Sequence, residues 1–133
     1  MKVTANDLGV CGIEQLIYAG TIAYDTEGAS DGVAICTLPH DVVITRTVAV
    51  VTEAFNAGTT NVLTVGTTAA NANELLGSSD VTEGSAGVYS KDHFIEAAAK
   101  SKIYAKFTET GTDATAGSAD IYIFVVGIPE ANS

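Results

Sequence analysis

The chain has 133 residues, 47% of them hydrophobic, and sets six Lys and Arg against sixteen Asp and Glu for a formal net charge of −10. That length fits one domain, and the apolar share with a mean hydropathy of +0.28 excludes disorder throughout. Six scattered cations make no basic face, so neither a nucleic acid nor an anionic membrane surface is an expected partner.

Met1 to Val10 contains no apolar stretch of signal-peptide length, so no secretory leader is expected. No run of 18 apolar residues exists, and Ile121 to Val126 is far too short to span a bilayer. Cys11 and Cys36 stand alone without a CxxC. A bridge between them is geometrically possible, but a chain made in a cytoplasm is expected to keep both as reduced, mostly buried thiols.

Residues 1–13 show no clear period and read as an N-terminal arm or edge segment. The first forty residues as a whole read as a leader and a hairpin-like unit. Glu14 to Tyr24 opens as a strand with Gly20 as a bend or bulge. Asp25 to Gly32 is a loop by composition, and Val33 to Leu38 is a short strand ended by Pro39. Val42 to Phe55 is the strongest strand of the first half. There Thr45, Thr47, Ala49 and Val51 alternate with Ile44, Arg46, Val48 and Val50. Both faces are apolar enough for a central strand of a sandwich.

Asn56 to Thr60 has turn chemistry and Asn61 to Val65 is strand-like, so a hairpin is expected there. Ala69 to Leu76 carries helix formers up to Gly77 and predicts one or two helical turns. Asp92 to Lys100 admits either helix, from its Ala run, or strand, from Phe94 and Ile95. Lys102 to Thr110 alternates, with Ile103, Ala105 and Phe107 on one face and Lys102, Tyr104, Lys106 and Thr108 on the other. Gly111 to Gly117 turns the chain, and Ala119 to Ile128 comes back. Ile121, Ile123 and Val125 are assigned to the core, Tyr122, Phe124 and Val126 to a second layer or a neighbour. About seven or eight short strands with Gly-rich turns, with one possible short helix, predict an all-β, single-domain antiparallel β-sandwich or jelly roll over residues 14–128, followed by a polar tail at 129–133.

Chemistry-bearing patterns are weak. His40 follows Cys36 by four residues, but alternation puts the Cys inside a strand, where a reactive thiolate is not expected. His93 adjoins Asp92 without a nucleophile in an elbow. Asp25, Glu27 and Asp31 share a Gly-containing loop, yet their spacing is not that of an EF-hand. That loop, with Asp80 to Glu83 and Glu109 to Asp113, reads as solvated acidic surface. No GxGxxG or Walker pattern occurs. No catalytic, cofactor-binding or metal-binding residue is assigned, and no enzyme activity is expected. The candidate interface residues are Tyr104, Tyr122, Phe124 and Val126.

Leu38-Pro39, the following VVITRTVAVVTEAFNAGTTNVLTVGT and the ending FTETGTDATAGSADIYIFVV together resemble small tailed-phage virion proteins, a group often encoded beside the major capsid protein. The resemblance runs from Val33 to Val126. It implies a non-enzymatic capsid decoration or stabilising protein on the phage head. Such a protein would be made in the bacterial host's cytoplasm, bind the major capsid protein or other virion proteins, and form a homo-oligomer, a trimer above all. The competing reading is a virion-borne module for a host glycan or receptor. A pocket holding two or more exposed Tyr rings with converging polar groups would mark that module; a flat, apolar, symmetric patch would mark the structural protein.

Overall fold

The structure, a computed structural model, describes residues 14–38, 40–69 and 72–127. The expected arm at 1–13, the tail at 129–133 and any pairing of Cys11 with Cys36 lie outside the described residues. Seven strands form: β1 (Glu14–Ala23), β2 (Val33–Thr37), β3 (Val42–Glu53), β4 (Thr60–Gly66), β5 (Gly87–Ala97), β6 (Lys102–Thr110) and β7 (Ser118–Gly127). A 3₁₀ turn at Ala29–Asp31 is the one helical element among the described residues.

The strands make a four-stranded sheet in the order β1-β7-β3-β5 and a three-stranded sheet in the order β2-β6-β4, antiparallel throughout. Every connection between successive strands therefore crosses from one sheet to the other. The pairs nest: β1 with β7, β2 with β6, β3 with β5, and innermost a single bridge from Val65 to Leu76. This is the order of a jelly roll whose fourth nested pair has shrunk to one bridge.

That topology corrects the hairpin expected across Asn56 to Thr60. β3 and β4 lie in opposite sheets, and the turn is an arch over the end of the sandwich. The same holds for the hairpin-like unit of β1 and β2 and for the return from β6 into β7. The turns fall where their composition predicts, but two strands apolar on one face pack across a core as readily as they pair, so turn composition does not fix which strand lies beside which.

The core fills the space between the sheets. Ile22, Ile44, Ile121, Ile123 and Val125 come from one sheet, Leu63, Val65, Ile103 and Phe107 from the other, all buried. The Phe55 and Phe107 rings meet at 4.5 Å between centroids. Strict alternation along β3 fails at Thr45, where the register shifts against both neighbours. Ile44 and Thr47 therefore both point inward, while Val43, Arg46, Val48 and Val50 point outward. Gly20 marks the expected bulge in β1, with φ 153 and a hypothetical Cβ only 2.9 Å from Ile35 Cβ, so it lets the edges of the two sheets approach.

Two local expectations change. Residues 72–76 form turns and bends instead of a helix, because Leu75 and Leu76 are both buried and their N–H groups donate to Val65 O, each at 3.0 Å. The open segment at 92–100 is strand as far as Ala97, where β3 offers a partner through Val42, and then turns at Lys100, φ 69. Neighbouring backbone decides against the helix propensity of the Ala run.

Candidate functional site

The outer face of the four-stranded sheet is largely apolar, crossed by the Arg46–Asp92 pair and by Ser90, Thr21 and Asp120. Register sets Leu16, Phe124, Arg46 and Asp92 in one row across the sheet, then Tyr18, Tyr122, Val48 and Ser90, then Thr21, Asp120, Val50 and Val88. Leu16 (57% exposed), Tyr18 (55%), Val88 (68%) and Phe94 (77%) are the large hydrophobic side chains most exposed among the described residues. All four stand on this one face, on its two edge strands. Isolated exposed hydrophobics are ordinary, but four on the two edges of one sheet face, with Tyr122, Phe124, Val48 and Val50 between them, mark a candidate contact surface.

Polar groups on the face are paired among themselves. Arg46 Nε donates to Asp92 Oδ1 at 2.6 Å, and its guanidinium carbon lies 5.5 Å from the Phe124 ring centroid. Both side chains are well exposed, so this pair positions the residues more than it stabilises the fold. Tyr18 packs its ring 5.3 Å from that of Tyr122 and bonds through its hydroxyl to Thr21 Oγ1, which donates to Asp120 Oδ1 at 2.6 Å.

Of the residues singled out in the sequence, Tyr122, Phe124 and Val126 are half-buried side chains of this face. Tyr104 is separated from them. It stands on β6, in the other sheet, and alternates with buried Ile103 and Ala105, so it faces the opposite side of the sandwich. Its surroundings there are Lys102, Lys106, Thr108, Thr64 and Ala34, a more polar and cationic face. Leu16, Tyr18, Val88 and Phe94 went unmarked, although the edge position that leaves them uncovered is invisible without the strand order.

The residues that invite catalysis do not converge. Cys36 is half-buried, and burial pushes its thiol up from the usual 9.0, away from a reactive thiolate. His40 is exposed, with Nδ1 3.1 Å from Asp41 O. His93 turns inward, its Nε2 3.1 Å from Thr47 Oγ1, whereas its sequence neighbour Asp92 turns outward to Arg46. Among the described residues no three His, Cys, Asp or Glu side chains group to hold a metal ion. Asp25, Glu27 and Asp31 are all exposed.

The other acidic loops are not simply solvated, a correction with a clear cause. Glu83 is buried, and its Oε2 accepts the Leu63 N–H at 2.8 Å on the edge of β4. Asp80 accepts the Gly77 N–H at 2.6 Å and pairs with Lys91 at 3.3 Å. Glu109 accepts the Ala114 N–H at 2.7 Å. Glu83 and Asp80 cap amides of the β4 edge and the loop after it, where the inner pair is a single bridge, and Glu109 caps an amide of the arch between β6 and β7. A cleft of about 280 Å³ includes Tyr24, Thr26, Ser30 and Glu109 in its wall, with one Tyr ring and no cation.

A nested two-sheet jelly roll with one largely apolar outer face defines the class of fold. No family model and no curated protein matches the chain. Among solved structures it is similar to a chain of the cyanophage Pam1 capsid asymmetric unit, with TM-score 0.59 and 15% identity over 86% of this chain and 85% of that one. It also aligns with a chain of the acid-stable capsid of the Helicobacter pylori bacteriophage KHP30, with TM-score 0.45 and 15% identity over 89% of this chain and 100% of that one. At such identity the first likeness is one of fold.

Proposed function

We propose that this chain is a structural protein of a phage virion, a decoration or stabilising component that docks on the capsid lattice through the outer face of the four-stranded sheet. The observation that carries the reading is that face itself, largely apolar and lined at both edges by exposed Leu16, Tyr18, Val88 and Phe94. The fold shared with a phage capsid chain and the sequence resemblance support it. Such a protein adds buried contact area and needs no chemistry. The glycan or receptor module is supported less, because the exposed Tyr18 and its neighbour Tyr122 stand on the outer face of a sheet, and the cleft described above holds a single Tyr, Tyr24. The trimer expected from the resemblance needs a heterologous contact between two different surfaces of the chain; a two-fold contact is argued below.

The test mixes purified chain with capsids of the parent phage that lack it, and reads co-sedimentation and heat resistance of the capsids. Wild-type chain should co-sediment and delay heat disruption. Phe94→Glu should weaken binding at least about tenfold, since burying a Phe is worth roughly 1.5–3 kcal/mol. Failure of the wild type to bind, with no change in heat resistance, would remove this reading.

A further inference from the structure

We infer that the free edge of β1 pairs two copies of this chain, antiparallel about a two-fold axis through Ile17. β1 is an edge of the four-stranded sheet. Among the described residues, no backbone hydrogen bond outside the β1–β7 ladder reaches residues 14–22. An unpaired strand edge is a template for another strand, and proteins that avoid such pairing place charge, proline or a bulge there. The sheet's other edge, β5, is defended in that way by Lys91, Asp92 and Glu96. From Gln15 to Ala23, β1 carries no charge at all. Its register against β7 is regular over residues 14–18 and shifts between Tyr18 and Gly20, which shortens the pairing stretch without closing the edge.

Register and charge together select the occupant. Pairing about Ile17 sets Leu16 of each copy opposite the other copy's Tyr18, and Gln15 opposite Ala19. Leu16 and Tyr18 already lie beside Phe124 and Tyr122, so the two apolar faces join into one across the axis. The charge argument follows from the chain's −10, which makes most contacts between copies repulsive. Pairing two β5 edges about Lys91 or Asp92 would set like charges directly opposite. Along β1 the one charged position, Glu14, would fall opposite Gly20, beyond the bulge and outside the regular ladder. Pairing β1 of one copy with β5 of another would leave a free edge on each side and favour an open chain of copies.

The proposal does not require a capsid, so its test uses the free full-length chain. Light scattering after size exclusion, at concentrations up to about 0.1 mM, should give twice the 13.6 kDa of the monomer. Leu16→Lys should return the monomer mass, and Val88→Lys on the defended edge should leave the dimer. In a Cys11→Ser, Cys36→Ser background, a mixture of Leu16→Cys and Tyr18→Cys chains should form an intermolecular disulfide that neither forms alone. Direct opposition permits the bond, and a diagonal offset does not. A monomeric wild type would overturn the proposal, whether residues 1–13 or nothing fills the edge. A trimeric mass, or a dimer indifferent to Leu16→Lys, would do the same. These outcomes are masses and crosslinks of the free chain, whereas capsid binding is read by Phe94→Glu, which lies on β5 away from the β1 seam.

Discussion

Glu83 gives a direct check on how the β4 edge is held in place of a full partner strand. Its Oε2 accepts the Leu63 N–H at 2.8 Å, its own carbonyl accepts the Phe55 N–H at 2.9 Å, and Leu63 is fully buried. Glu83→Ala leaves the Leu63 N–H without a partner, a loss of about 1–3 kcal/mol. Glu83→Gln retains a carbonyl acceptor and removes the buried charge. The two variants should therefore differ by about 2 kcal/mol, or roughly 6–10 °C in Tm for a chain of this length. Burial raises the Glu83 carboxyl above the ordinary 4.5, against the lowering effect of the Leu63 bond. A raised folded value means that stability is fully present below the ordinary value and is lost as pH rises through the folded one. The wild type should thus lose ground to Glu83→Gln between pH 4.5 and neutrality. Thermal melts of the three proteins at both pH values read this out. Equal melting of the Ala and Gln variants would show that the carboxylate does not cap Leu63.

Two further outcomes follow from the packing. Gly117 has φ 140, and a Cβ there would sit 2.3 Å from the Phe55 ring and 2.9 Å from Phe55 Cα, so Gly117→Ala should cost about 2 kcal/mol or more; denaturant unfolding within 0.5 kcal/mol of wild type would contradict it. Burial first, then the Lys91 ammonium, holds the His93 imidazole below its ordinary 6.5, against the opposing Asp92. A depressed folded value contributes stability above 6.5 that is lost as pH falls through the folded value, so His93→Gln should flatten the acid-side decline; identical slopes would exclude the imidazole as its source.

Much of the fold is legible in the residues because burial imposes a period of two. Ile103, Ala105 and Phe107 were placed inward from alternation on β6, as were Ile121, Ile123 and Val125 on β7, and all are buried. Alternation fails where a bulge intervenes, as at Thr45, since one extra residue reverses the faces that follow. Sheet membership is not written in the pattern either. The Gly-rich arches at Asn56 to Thr60 and Gly111 to Gly117 have the composition of hairpin turns, yet each carries the chain across the core. A nested order makes each strand's partner remote in sequence, so local signals cannot find it. Glu83 was missed for the same reason, because its role depends on an inner pair too short to cover β4.

Sheet membership also decides which aromatic residues can act together. β6 and β7 have the same alternating form, with Tyr104 and Tyr122 at equivalent outward positions. Since the strands lie in opposite sheets, Tyr104 stands between Lys102 and Lys106, while Tyr122 stands between Asp120 and Phe124. One outer face is cationic and threonine-rich at its centre, the other apolar. A partner that buries apolar area is served by the second face alone. There the covered centre, Tyr122 and Phe124, is already half-buried by its own sheet, and the uncovered edges supply most of the new area. Substitutions at Leu16 and Phe94 should therefore weaken contacts more than substitutions at Tyr104, although Tyr104 is also an outward-facing aromatic on a regularly alternating strand.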